Sequence, residues 1–474
     1  VLARREVCPA PRGIALDARN ARALVVCEGG EVVGLPVDPS REGSVPTLLA
    51  RIERDLRDIV VTFGVNGDRF FVSLLRSAEV LELSPTFAVV VRWPTAKLTG
   101  DGRQMLAMRM IPPPEADPLA MPIVVHSIAR DPPPATTTRP TSYQGRAPAD
   151  DPSDAWNCNP FGGPVVTTAI SRVGIHAGFT FRAPDHASVP VDLQDDGAHL
   201  ALVAAGNGHT ARALPQVYVF TKAPYKLASF VGALCGVGEG GYLVHGQAIA
   251  VAFRRVDPKR RGKDEAARQA PPALVVQSRE PAQLELFPED VIIPLSSESR
   301  EDTGHAIFHS NSGSGVACAS CHAEAGDDGQ AWTFDAHGPT RTPSLRGTLA
   351  GTAPFHWRGD LPDIGSLADL VMTGRMNGPE LDAGQKVSLG RWLDSVPAPR
   401  AAPPSAAALR GRLLFEDGRV GCAACHSGPR LTNAQTVDVG TGGVFQVPSF
   451  VGLATRAPFL HNGCAPTLRD RFGL

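Results

Sequence analysis

Long apolar runs are missing from this chain of 474 residues. No stretch approaches the ~18 consecutive apolar residues that a membrane-spanning helix requires, so no membrane span is expected. A surplus of one charge is missing as well: 46 basic residues face 48 acidic ones, for a net charge of -2. That balance removes the electrostatic case for nucleic acid. Aromatic residues are few, at 6%. With 43% hydrophobic and 20% charged residues, disorder, collagen and coiled coil are excluded. What is plentiful is glycine (48) and proline (43), which favours many short strands over long helices. The length corresponds to about three domains, or two larger ones.

Residues 1–295 and 296–474 read differently. In the first part, short β-rich runs alternate with polar turns. Residues 22–38 (RALVVCEGGEVVGLPVD) read as strand, Gly-Gly turn, strand. Residues 68–85, 199–220 and 273–287 repeat that plan. Starts at 22, 68, 199 and 273 fit a period of about 42 residues, within the range of a propeller blade. Six such intervals predict an all-β propeller of about seven blades over 1–295, with a β-sandwich pair of irregularly spaced hairpins as the alternative. Pro clusters between 97 and 160 mark insertions. A charged run at 254–270 reads as a solvated loop.

After Pro294 the alternation fades, and helices are predicted at 303–309, 364–373, 382–393 and 405–415. A Pro-rich linker at 396–404 divides this part into two lobes, 296–398 and 405–474.

Nine cysteines are present, and four form two copies of one motif: Cys318-Ala-Ser-Cys321-His322 and Cys422-Ala-Ala-Cys425-His426. Cys-x-x-Cys-His is the signature of covalent c-type haem attachment. Two thiols on one helical turn add across the haem vinyl groups, and the adjacent histidine becomes the proximal iron ligand. A four-thiolate zinc site would need neither histidine, and a thioredoxin-like site would need a βαβ setting that is missing. Two copies, 104 residues apart and both with the histidine, point to two haems. Five cysteines remain, an odd number. Cys8, Cys27, Cys158 and Cys235 are compatible with disulfides in an oxidising compartment and equally with buried thiols.

The motifs around these copies extend the reading: GHAIFH (304–309), RTPSLRG (341–347), APFHWRGD (353–360), RGRLLF (410–415), DVGTGGVFQVP (438–448) and APFLHNGCAPTL (457–468). In this order, over roughly 300–474, they resemble the dihaem cytochrome c peroxidase / MauG family. The resemblance implies a mainly α dihaem cytochrome c domain of two lobes fused to the propeller. It makes His322 and His426 the proximal ligands, and Trp357 the electron relay between the haems. His337 resembles a histidine that some members place on the first iron when oxidised; an ordinary loop histidine is the alternative. His356 and His461 fall in motif positions.

Departures from the family pattern are equally specific. Where members carry a Gln and a Glu that help to split peroxide, this chain has Leu367 and Asn377, with Glu380 or Asp363 as replacements. At the interhaem calcium site Arg341 replaces an Asn, leaving carbonyls near Gln446 and Pro448 as donors. The sixth ligand of the second haem falls one position beyond the last residue, so the second lobe reads as truncated, and Cys464 as having lost its partner.

The resemblance implies reduction of hydrogen peroxide at the first haem, with electrons relayed from the second and supplied by a small cytochrome or cupredoxin. A MauG-like oxidation of residues in a partner protein is the second reading. A non-enzymatic dihaem electron carrier is the third. Covalent c-type haem places all three in the periplasm or another extracytoplasmic compartment.

Overall fold

A computed structural model describes residues 4–38, 45–64, 67–95, 102–113, 121–130, 164–174, 180–209, 214–221, 238–254, 272–335, 337–347, 349–400 and 403–472. Cys158, Cys235, Tyr143, Tyr225, most of the charged run and the Pro cluster at 132–134 lie outside them. The described residues form two compact units. The first lies within Val1–Arg130, Gln144–Glu301 and His309–Ser320; the second lies within Asp302–Phe308 and Cys321–Leu474.

The first unit holds five four-stranded antiparallel sheets, each made of four consecutive strands. Sheet one is β1 (Pro11–Asp17), β2 (Arg22–Cys27), β3 (Glu31–Pro36) and β4 (Thr47–Arg51). Sheet two is β5 (Leu56–Gly64), β6 (Gly67–Leu74), β7 (Val80–Leu83) and β8 (Val89–Trp93). Sheet three is β9 (Arg103–Ile111), β10 (Ile123–Ala129), β11 (Val166–Arg172) and β12 (Thr180–Arg182). Sheet four is β13 (Pro190–Asp195), β14 (His199–Ala204), β15 (Val217–Thr221) and β16 (Gly238–Tyr242). Sheet five is β17 (Ala248–Phe253), β18 (Leu274–Ser278), β19 (Gln283–Phe287) and β20 (Val291–Pro294).

The four hairpins read from sequence are β2–β3, β6–β7, β14–β15 and β18–β19, the central pair of four of these sheets. The expected count of seven is not met: the described residues form five. The arithmetic overshot because the sheets are not evenly spaced. Residues 131–163 fall between β10 and β11, so the third sheet spans far more chain than one period and its hairpin is not legible.

Apolar cores lie between successive sheets. Leu24, Val26, Ile59, Val72 and Leu81 join sheets one and two. Val60, Phe71, Met110 and Val124 join two and three, and Ile123, Ile170, Leu202 and Phe220 join three and four. Val203, Val219, Val251 and Val276 join four and five. A sheet covered on both faces has no solvent side, so its central strands run apolar without alternation; Ile123–Ala129 is buried throughout. A polar thread crosses the same sheets. Arg109 on β9 pairs with Asp58 on β5 and Asp192 on β13, each at 3.2 Å, and Asp192 accepts the Val251 N–H of β17 at 2.9 Å. A disulfide joins Cys8 to Cys27.

The second unit has a few helices, which fall on the four predicted spans and at two further short turns, but among its described residues helix does not predominate, so the expected mainly α domain is not shown. They are α1 (Thr303–His309), α2 (Ile364–Ala368) with a π-helical extension Asp369–Arg375, α3 (Ala383–Ser395), α4 (Ala406–Glu416), α5 (Cys422–Cys425) and α6 (Leu468–Phe472). Their starts follow from capping: Asp363, Asp382 and Ser405 each accept a backbone N–H from the first turn. Gly304 lets α1 approach α3, since a Cβ there would stand 2.2 Å from the Ser388 carbonyl. Phe308 then packs on Trp392, ring centroids 4.6 Å apart. Two small hairpins complete the unit, β21 (Ala331–Trp332) with β22 (Thr340–Arg341), and β23 (Thr436–Asp438) with β24 (Val444–Gln446).

Candidate functional site

Each Cys-x-x-Cys-His motif lies on a short helical turn, Cys318–Ser320 in the first copy and Cys422–Cys425 in the second. A backbone carbonyl fixes the histidine that follows each turn. His322 Nδ1 lies 3.2 Å from the Gly326 carbonyl, and His426 Nδ1 3.2 Å from the Leu431 carbonyl. A ring that donates through Nδ1 presents its lone pair on Nε2, the tautomer that ligates iron. Burial holds both imidazoles below their usual pKa, against the pull of backbone carbonyls that include Pro343 and Pro448. Both therefore stay neutral at pH 7, the ligating form. None of the four motif cysteines is joined in a disulfide among the described residues. Cys318 keeps part of its surface exposed, yet the protein around it pushes its thiol up to about 11.

The two halves of the second unit repeat one another. His322 corresponds to His426, Pro343 to Pro448, Phe355 to Phe459 and Gly359 to Gly463, at offsets of 104 or 105 residues. Both halves carry the hairpin, a left-handed residue (His356, φ 67°; Leu460, φ 69°) and a bridge, Phe355 to Leu361 and Phe459 to Ala465. They also exchange equivalent hydrogen bonds. The Arg341 N–H donates to the His461 carbonyl at 2.6 Å, and the Gln446 N–H donates to the Trp357 carbonyl at 2.7 Å. Position 357 in one half is position 461 in the other, so Trp357 and His461 face each other across this exchange, ring centroids 6.4 Å apart. Trp357 Nε1 donates to the Arg341 carbonyl at 2.6 Å, and His461 stacks on Phe445 at 3.8 Å. The indole is thus held between the two motif-bearing halves.

The other sequence candidates are placed separately. His337 stands exposed in the loop between β21 and β22, its N–H held by Asp335. His356 is half-buried with Nδ1 3.3 Å from Asp360 Oδ1, and burial lowers its pKa. Asp363 is occupied as the cap of α2, and Asn377 and Glu380 are exposed. Arg341 brings its own cation to the position compared with a calcium donor: its guanidinium lies 3.1 Å from Asp327 Oδ1, both buried. Sequence reasoning missed this pair and the facing of His461 on Trp357. The signal for the second was the match of APFHWRGD with APFLHNGC.

The residues fit a haem at each motif. Among the described residues no three His, Cys, Asp or Glu side chains converge as a metal site. A haem brings its own four nitrogens and asks the protein for one imidazole and two thiols, which each motif supplies. Apolar surface beside the second motif supports the fit. Helix α4 buries none of its residues, and Leu409, Leu413 and Leu414 are 51%, 70% and 61% exposed. A flat apolar macrocycle is the kind of group that covers such a surface.

No protein family matches the sequence, and no curated protein does. Solved structures with some likeness include hydrazine synthase from Kuenenia stuttgartiensis, at 18% identity over 35% of this chain and 75% of that one, TM-score 0.31. A MauG-like protein associated with microbial copper homeostasis has 17% identity over 38% and 76%, TM-score 0.30. Sqt1 from Saccharomyces cerevisiae has 6% identity over 60% and 62%, TM-score 0.31. Scores of this size carry no argument, and the functional reading rests on the residues.

Proposed function

We propose that this chain is a dihaem c-type oxidoreductase that reduces hydrogen peroxide at the first motif with electrons drawn from the second. The observation that supports the reading is the exchange of hydrogen bonds around Trp357, which joins the two halves that each carry a Cys-x-x-Cys-His motif. A haem at each motif would supply an iron able to change between the ferric and ferrous states. The chain does the rest. His322 and His426 ligate through Nε2, with Nδ1 fixed by a carbonyl. The thiols of Cys318, Cys321, Cys422 and Cys425 anchor the groups, and Trp357 offers an oxidisable ring on the path between them. In this reading the five sheets are blades of a propeller that docks a small cytochrome or cupredoxin. The Cys8–Cys27 disulfide and covalent haem attachment support a periplasmic or other extracytoplasmic location.

A specific observation favours a second reading, MauG-like oxidation of residues in a partner protein. Asp363 is committed to capping and Glu380 is exposed, so neither offers an enclosed acid–base group for peroxide cleavage. Two experiments decide. High-spin ferric absorption with carbon monoxide binding to the reduced protein supports an enzyme; two six-coordinate haems would leave only an electron carrier. Peroxide-dependent oxidation of a small cytochrome supports the peroxidase, and a covalent change in a co-expressed partner supports the second reading.

A further inference from the structure

Arg341 and Arg456 are buried guanidiniums of the second unit, 5% and 8% exposed. Arg341 pairs with Asp327, and Arg456 donates to the Ser449 carbonyl at 2.8 Å and reaches the Arg346 carbonyl at 3.5 Å. The Nε atoms of both make no hydrogen bond, and Nη2 of Arg341 is the atom that pairs with Asp327. Burial brings Arg456 down to about 10, with one carboxylate, Asp327, pulling it up against two guanidiniums, Arg341 and Arg346, that push it further down. Asp328 does not restore the balance. Its oxygens accept from Gln330 N and Trp332 Nε1, and burial pushes it up to about 7, leaving it partly protonated at neutral pH. Buried positive charge in excess of its partners is costly, and a second anion with charge-assisted hydrogen bonds relieves it.

The surplus lies beside the first motif: Asp327, which pairs with Arg341, directly follows Gly326, whose carbonyl is 3.2 Å from His322 Nδ1. We propose that Arg341 and Arg456 receive the carboxylate side chains of the haem held by His322, an inference that rests on the dihaem reading. The planar guanidinium fork matches a carboxylate in two-point contact, which a lysine does not reproduce. Positive charge at that edge favours the reduced iron, so the pair raises the potential of the first haem relative to the second. A free inorganic anion such as phosphate is the other source of the same chemistry.

The experiment is a redox titration of both haems in the full holoprotein. It compares wild type with Arg456→Gln, Arg456→Lys and the exposed control Arg419→Gln, with haem content measured first. The expected result is a lower potential for the first haem in Arg456→Gln, a partial return in Arg456→Lys, and no change in the control. Inorganic phosphate added to wild type should leave the potential where it was. A potential that follows the phosphate concentration assigns the site to a free anion and overturns the proposal. Two haems with an unmoved first potential overturn this inference alone; a chain without haem overturns the dihaem reading with it. Should Arg456→Gln fail to fold, Arg341→Lys replaces it. The propionate bending band in resonance Raman shifts if the carboxylates sit there, and its constancy refutes the assignment.

Discussion

The two units manage their apolar surface in opposite ways. In the first, the faces of successive sheets close on one another through four cores, and Arg109 ties the first strands together. In the second, the half carrying the first motif buries Met372, Met376, Leu389 and Leu393, whereas α4 beside the second motif buries nothing. A helix that leaves its leucines in water is not held by packing, and a helix of eleven residues is marginal alone. The first unit therefore carries its stability in the polypeptide, and the second leaves open an apolar surface that, in the dihaem reading, a haem would cover.

The largest effect expected from this contrast follows loss of the second attachment. Cys422→Ala with Cys425→Ala should leave one haem per chain by denatured mass spectrometry. Hydrogen exchange should quicken by an order of magnitude or more over residues 405–472, since about 1.4 kcal/mol of lost protection is tenfold, and stay unchanged in the sheets. Unchanged protection of α4 would remove the claim that the group completes the core. Next in size is the disulfide. Cys8→Ser with Cys27→Ser opens a loop of 19 residues, for which about 3 kcal/mol is the usual loss. Chemical denaturation should place that loss in the first unit alone, with both haems still attached. A smaller effect is kinetic. Trp357→Phe keeps most of the ring volume but raises the oxidation potential, and should slow interhaem transfer in stopped-flow roughly tenfold, about 1.4 kcal/mol of barrier, with haem content unaltered. Full-speed transfer would make Trp357 a structural residue.

The smallest effect separates the units by pH. His126 is fully buried in the first unit, donor or acceptor to Ser171 at 2.7 Å, and burial lowers it from 6.5 to about 4. The folded state binds fewer protons there, so that contribution is whole above about 6.5 and is lost as pH falls toward 4. Asp328 in the second unit runs the other way, raised from 3.8 to about 7 by burial. Its contribution is whole below about 4 and is lost as pH rises through 7. Hydrogen exchange at pH 5 and pH 8 should show opposite changes in the two units, each flattened by its own variant, His126→Asn or Asp328→Asn. A slope that neither variant alters would assign the pH response elsewhere.

Legibility in the sequence followed the same division. Hairpins whose turns are short, such as β2–β3 around Gly29 and Gly30, announced themselves through paired apolar runs. The third sheet did not, because a long connection separates its middle strands. Helix starts were legible to within a residue or two, since Asp382 and Ser405 cap through local hydrogen bonds. The haem-type motifs were legible because their chemistry lies within five consecutive residues. Arg341–Asp327 and Trp357–His461 were not, for they join residues 14 and 104 apart, and the second pair meets only through the exchange between halves.

The segment His309–Ser320 belongs to the sheet-bearing unit although it leads into the first motif. Asn311 anchors it there. Its N–H donates to the Gly206 carbonyl at 2.7 Å, and its amide nitrogen reaches the His186 carbonyl and Asn207, each at 3.1 Å. Gly315 sits where a Cβ would stand 2.3 Å from the Asp185 carbonyl, so the fit tolerates no larger residue. The residues that lead into Cys318 are thus fixed to the sheets, so Cys318 inherits its position from the first unit while His322 takes its own from the second. In the dihaem reading proposed above, a bond to that thiol, which burial pushes up to about 11, would form more readily before the segment seats itself.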